Sequence, residues 1–324
     1  MAQRQPSRKA LYFPIILLLI AAVGWTFAWF YLRGEARERM DAGVAELRSQ
    51  GYAVAWQDRT FGGFPFRMDV NLTGFRVSEP SGWGVRAPSI RAEAFVYSLD
   101  KWVAVAPQGV VLERPVGGAL QIKGKALRAS LRELESNPPR VAIEGAGLTF
   151  TPIEGGQPFL LKTAEKLDLH VRPGPQDQGA VLLRVTNAQA NLPGLLARIA
   201  PEEPVGMNLE LIYDKASALQ GPNWRTMAQN WVAAGGSAMV RTGSLSAGGA
   251  VIAASGGGLS VGPNGRAEGA LDLDLAKAGD AISDLTGGLV PPTASFGGMR
   301  VVFQNGETML SPIPIPIAPA PRVY

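Results

Sequence analysis

Phe66-Arg67-Met68-Asp69-Val70-Asn71-Leu72 alternates apolar and polar residues without a fault, and that period of two decides the fold. Successive side chains of a strand point to opposite faces, so this segment offers one face to a core and one to water. One wet face is the habit of antiparallel sheets. The alternation returns around residues 90–96, 120–122, 141–143, 167–171 and 181–185. Turn formers separate these runs: Glu79-Pro80-Ser81-Gly82, Arg114-Pro115-Val116-Gly117-Gly118, Asn137-Pro138-Pro139, Glu154-Gly155-Gly156 and Arg172-Pro173-Gly174-Pro175. Strands joined by short turns predict a meander with few crossovers. Residues 127–135 read as a brief helical insertion.

Further on, strands are expected at 207–212, 259–261, 270–275 and 299–303, with helices at 193–199 and 223–234. In the second helix Trp224, Met227, Ala228, Trp231 and Val232 fall at i, i+3, i+4, i+7 and i+8, an apolar stripe that packs on a sheet. Its two tryptophans read as core before they read as a ligand platform. Gly262-Pro263-Asn264-Gly265 and Asn305-Gly306 lie between apolar runs and predict hairpins. Residues 234–270 are dense in Gly, Ala and Ser, which marks either close backbone approaches or a mobile loop. The Pro-Ile-Pro-Ile-Pro-Ile run within 311–321 lacks amide donors, so it belongs along a sheet edge. The fold class is α+β and β-rich, a predominantly antiparallel meander with a few packed helices. Two halves, 51–191 and 192–324, fit this pattern; one continuous curved sheet fits it equally.

Upstream, residues 11–32 (LYFPIILLLIAAVGWTFAWFYL) carry no charged side chain. As a helix rising about 1.5 Å per residue they span roughly 33 Å, enough for a hydrocarbon core of roughly 30 Å. Tyr12 at one end and Trp25, Trp29 and Tyr31 at the other suit interfacial aromatic belts. Arg4, Arg8 and Lys9 before the span are nearly balanced by Arg33, Arg37 and Arg39 after it. The shortness of the tail at 1–10 against the long downstream chain favours a cytoplasmic tail and an extracytoplasmic bulk. Cleavage after Ala21-Ala22-Val23-Gly24 is the alternative, but the apolar run continues through Phe27 to Phe30, longer than a signal core needs. Within 33–50, residues 35–50 read as a helix closed by Gly51, with Ala36, Met40, Val44 and Leu47 on one face. It is either a stalk at the lipid surface or a helix docked on the folded domain.

The net charge of +4 includes three basic residues within 1–32, which leaves 28 basic against 27 acidic residues beyond. The alkaline pI of about 9.4 is therefore weak evidence for nucleic acid. The chain has no cysteine, so it has no disulfide, thiolate zinc site or cysteine nucleophile.

Chemistry-bearing motifs are sparse. Gly258-Leu259-Ser260-Val261-Gly262 spells G-x-S-x-G, but a turn and a strand follow instead of a helix, and the single histidine, His170, lies upstream. His170 shares the polar face of its strand with Asp168. Asp272 and Asp274 project from one face of a strand, where solvation is a plainer reading than a shared cation. No phosphate loop or dinucleotide fingerprint occurs, and basic and aromatic residues do not interleave. The expectation is a non-enzymatic protein without cofactor, metal or nucleic-acid partner.

The charged-flanked N-terminal span, Phe61-Gly62-Gly63-Phe64-Pro65-Phe66-Arg67, and the C-terminal Phe303-Gln304-Asn305-Gly306 with Leu310-Ser311-Pro312-Ile313-Pro314 and Ala320-Pro321-Arg322-Val323-Tyr324 form a combination. It resembles the bacterial inner-membrane-anchored proteins catalogued as domain-of-unknown-function family 2125. Gly62, Gly63, Pro65, Phe66, Arg67, Asn305, Gly306, Pro312, Pro321 and Tyr324 carry the resemblance as structural positions. Family members often have cysteines near the positions of Trp56 and Val70, so here any such bridge is absent. The resemblance implies an extracytoplasmic location and supplies no catalytic residue. More loosely, an anchor followed by many alternating strands looks like AsmA-like proteins, implicated in outer-membrane lipid homeostasis.

The expected partner besides the inner membrane is a lipid or other amphiphile, bound on a curved sheet. A protein-binding scaffold in envelope assembly, recruiting its partner by strand addition, is the alternative.

Overall fold

The computed structural model describes residues 8–134, 136, 138–192, 204–247, 250–274, 297–311 and 315–324. The apolar run and the juxtamembrane segment form a single rod, α1 (Arg8–Ser49), long and apolar enough in its first half to cross a membrane. Its end is a Schellman closure: Gly51 N–H donates to Arg48 O at 3.0 Å and Tyr52 N–H to Leu47 O at 3.0 Å, with Gly51 at φ +90°.

Among the described residues nineteen strands form one sheet, and every pairing is antiparallel. β1 (Ala53–Ala55) and β2 (Asp58–Gly62) lie end to end along β3 (Arg67–Ser78). β3 pairs with β4 (Gly84–Phe95). β5 (Ser98–Val105) and β6 (Val110–Arg114) share the next row, both against β4. β7 (Gly118–Lys123) and β8 (Ala126–Arg132) share the row after that, both against β9 (Arg140–Pro152). β10 (Leu161–Pro173), β11 (Gly179–Ala190), β12 (Val205–Tyr213) and β13 (Ala238–Ala247) follow in order. β14 (Ala250–Ser255) and β15 (Gly258–Val261) bridge β13 to β16 (Ala267–Asp274). β17 (Gly297–Gln304), β18 (Glu307–Ser311) and β19 (Ile315–Pro319) complete the meander. The sheet is continuous across residue 191, where β11 pairs with β12.

The helical insertion expected at 127–135 is instead strand β8. Leu127, Ala129 and Leu131 alternate with Arg128, Ser130 and Arg132, and β5 and β9 pair on either side. Two flanking ladders outweigh the helix propensity of Leu, Arg and Ala. The helix expected at 193–199 lies outside the described residues. The small residues of 234–270 build β13 to β16, where backbones approach closely. A Cβ on Gly257 would collide with Ala270 O, so only glycine fits.

α2 (Trp224–Ala233) starts where the Asn223 side chain accepts from Thr226 N–H at 2.9 Å. Its Trp231 is buried among Tyr213, Ala216 and Val261, as the apolar stripe requires, and donates from Nε1 to Asp214 O at 2.7 Å. Trp224 is instead surface-exposed, with Nε1 donating to Val323 O at 2.6 Å. β19 closes one edge with Pro316 and Pro319 opposite Met309 and Glu307, which blunts strand addition there. Beside the other edge runs α1, whose Arg48 donates to Val54 O at 2.6 Å.

Candidate functional site

Residues directly opposite one another in a sheet share a face, so the register turns the sequence into a map of surfaces. Traced from β2, one rung reads Phe61, Val70, Ala92, Ala104, Ala129, Ile143, Leu169, Leu183, Leu209, Gly243, Ala254, Leu273 and Met299. No polar side chain interrupts it. At about 4.8 Å per row its twelve steps cover roughly 58 Å along the sheet's curve. Trp102, Leu131, Val141, Val171, Val181, Leu211 and Val240 form a second apolar rung on the same face. Leu127, Gly145, Leu167, Val185, Met207, Leu245 and Ile252 form a third.

The opposite face is charged. The rung through Arg91, Val105, Arg128, Glu144, Asp168, Arg184 and Asn208 holds one apolar residue among six polar ones. The sheet is thus amphipathic from β4 to β12.

Among the described residues both helices sit on the apolar face, α1 at the β2–β3 end and α2 over β11 and β12. α1 places Trp29 against Met68, Val96, Phe61 and Trp102, so the first two rungs begin beneath the apolar helix. α2 covers Val181, Leu211 and Tyr213 with Trp231. Ile143, Leu169, Leu183 and Leu209, on β9 to β12, are half-buried. The result is a long apolar strip that begins beside the anchor and is half-buried in its middle.

The motif residues fall at two separate places. Gly62, Gly63, Pro65, Phe66 and Arg67 form the β2–β3 turn, which receives both indoles of α1: Trp25 Nε1 donates to Pro65 O at 2.8 Å and Trp29 Nε1 to Arg67 O at 3.0 Å. Gly63 takes φ +95°, and a Cβ there stands 2.6 Å from Arg67 O. Asn305 and Gly306 form the β17–β18 hairpin. Pro321 O accepts from Ala267 N–H at 2.8 Å, and Val323 and Tyr324 N–H both donate to Gly265 O, clamping the C-terminus on the β15–β16 hairpin. Pro312 lies outside the described residues. Trp29, read in the sequence as a belt residue, is in fact 4% exposed and a docking residue; Trp25 at 36% keeps a rim position.

The chemistry-bearing candidates are dispersed. Ser260 ends in a strand-to-strand hairpin and donates its hydroxyl to Gly236 O at 3.1 Å. His170 lies on the charged face, in a shallow cleft of about 460 Å³ with Arg140, Arg172, Arg184, Glu144 and Glu210. Asp272 accepts from Arg300 Nε at 2.7 Å, and this bond holds its carboxyl below the usual carboxylate range. No cluster of three metal-ligating side chains occurs among the described residues. A second cleft, about 340 Å³, gathers Trp83, Val116, Trp224 and Tyr324 at the surface.

What alternation within single strands did not show was the register that joins Leu169, Leu183 and Leu209 into one strip.

The family of uncharacterized proteins conserved in bacteria designated DUF2125 matches the chain over residues 29–298, and the chain belongs to it. No curated protein and no solved structure matches the chain, and a likeness to AsmA-like proteins is not shown.

Proposed function

We propose that this DUF2125 protein is anchored in the inner membrane, holds its sheet on the extracytoplasmic side, and binds a lipid or other amphiphile on the apolar face as part of envelope homeostasis. One observation carries the reading: the apolar rung that ends at Met299 begins at Phe61, packed beside the anchor helix. An acyl chain leaving the bilayer along α1 meets no polar row on its way across the sheet. Each methylene shielded there contributes about 0.8 kcal/mol, so a chain covering a few strands gains enough to be held. The reading is non-enzymatic and takes no cofactor.

The test is native mass spectrometry of the full chain extracted in mild detergent. Bound phospholipid or another amphiphile at defined stoichiometry is expected; a clean apo mass would reject the reading. A protein-binding scaffold is the second reading, favoured by the surface cleft where Trp83, Val116 and Trp224 are 40%, 66% and 39% exposed. A stoichiometric protein partner without lipid would select it. Orientation is tested separately, with a reporter active only in the cytosol fused to Tyr324; activity would reject the extracytoplasmic placement.

A further inference from the structure

Beside the point where α1 meets the sheet, two turns present a patch of rings. Phe64 and Phe66 in the β2–β3 turn are 52% and 60% exposed; Phe95 and Tyr97 in the β4–β5 turn are 51% and 72% exposed. The rings are ordered among themselves and against the helix. Trp25 lies 6.2 Å from Phe66, Trp29 meets Phe64 edge-on at 5.5 Å, and Phe95 stacks on Tyr97 at 5.1 Å. Val96 N–H donates to Phe66 O at 3.1 Å, which fastens the two turns together. Soluble surfaces rarely carry a contiguous aromatic patch of this kind without an occupant.

We propose that this aromatic collar is embedded in the bilayer, in the leaflet on the sheet's side, so that the domain is seated in the membrane surface and not suspended above it. Helix length argues first. Between Leu11 and Gly24 lie fourteen apolar residues, about 21 Å of helix, which falls short of a hydrocarbon core of roughly 30 Å. Filling the core takes about twenty residues, which carries the boundary to the level of Phe30. Trp25, bonded to Pro65 O, then stands about 8 Å inside that boundary and brings Phe64 and Phe66 with it.

Backbone chemistry argues second and independently. Carbonyls at membrane depth need partners within the protein, and four at this turn have them. In this turn Gly63 O accepts from Arg67 N–H at 2.8 Å, and Pro65 O accepts from Trp25. Phe66 O accepts from Val96, and Arg67 O from Trp29. Pro65 has no N–H to satisfy. Charge resumes immediately beyond, where Arg67 pairs with Glu93 at 3.2 Å, the level at which a long basic side chain reaches headgroups.

The proposal rests on the anchor reading and is independent of what the sheet binds. Because the chain has no cysteine, single reporters can be introduced cleanly. Full-length Phe64→Cys, Tyr97→Cys and Val116→Cys proteins, each labelled with a polarity-sensitive fluorophore, are placed in nanodiscs of phosphatidylethanolamine and phosphatidylglycerol. The discs are prepared with and without lipid spin-labelled high on the acyl chain. Val116 is the control, since β6 pairs with the end of β4 opposite Phe95. Labels at 64 and 97 should be blue-shifted and quenched at least about twofold more than the label at 116. Equal quenching at all three positions would overturn the collar. Should Phe64→Cys fail to fold, Tyr97→Cys decides alone, its side chain being largely exposed. Failure of the full chain to enter the discs would overturn the anchor itself, and the collar with it, while leaving the amphiphile assay to be judged separately.

Discussion

Asp41 on α1 and Arg59 on β2 form a two-pronged ion pair, with Nη1 and Nη2 donating to the carboxylate at 2.6 and 3.1 Å. Arg59 also lies over the rings of Trp56 and Phe61, at 5.2 and 5.4 Å, so its side chain is nearly buried while that of Asp41 faces water. The juxtamembrane part of the helix is thereby tied to the first strands.

The pair gives α1 docking a dependence on acid. The Arg59 hydrogen bond, against a smaller opposing effect of burial, holds the Asp41 carboxyl below the ordinary carboxylate range. A carboxyl depressed in the folded state contributes stability above its unfolded pKa, about 4, and loses it as pH falls through the folded value. Hydrogen exchange in residues 33–49 should therefore be flat from pH 7 to about 5 once corrected for intrinsic rates, and accelerate below about 4. Asp41→Asn should remove that acid increment. An unchanged acid response in the variant would discount the pair.

Trp29 should be the most costly side chain to remove from the helix–sheet contact. It is buried against Met68 and Val96 and donates to Arg67 O. Trp29→Ala should destabilise by about 3–5 kcal/mol, and Trp25→Ala by distinctly less because its ring is only partly covered by the protein. Denaturant unfolding in detergent micelles, followed by β-sheet circular dichroism, orders the two.

Adjacent glycines of the turn should behave differently. Gly63 combines positive φ with a Cβ contact at 2.6 Å from backbone, whereas a Cβ on Gly62 meets nothing within 4 Å. Gly63→Ala should cost roughly 1–3 kcal/mol, while Gly62→Ala should stay within about 0.5 kcal/mol. Thermal melts of the two variants provide the comparison.

Leu183 and Arg184 are neighbours on opposite faces of β11. Leu183→Ser should lower the retained amphiphile, whereas Arg184→Ser should leave it unchanged, both proteins keeping a native-like circular dichroism spectrum. Equal lipid content in the two would move the binding surface away from the apolar face.

Much of this architecture is visible in local pattern. The alternation from Phe66 to Leu72 reappears as β3, with Met68, Val70 and Leu72 all buried. Asn305-Gly306 turns between β17 and β18, and the proline run that includes Pro316 and Pro319 lies on an edge, because turn geometry and missing amides act within a few residues. Leu127 to Leu131 was misleading for the converse reason: its residues suit a helix, and only β5 and β9 on either side make it a strand. Trp29 was half legible. Its place near the end of the apolar run is evident, but nothing local says that Arg67 O waits for its indole.

By itself, the sequence determined that a greasy N-terminal helix precedes a long antiparallel meander, since hydrophobic length and period are properties of neighbouring residues. Only the tertiary structure decided that Phe61, Leu169 and Met299 share one face and that this face begins at the helix. Register is set between strands far apart in the chain, and a slip of one residue would exchange the apolar rung for the charged one.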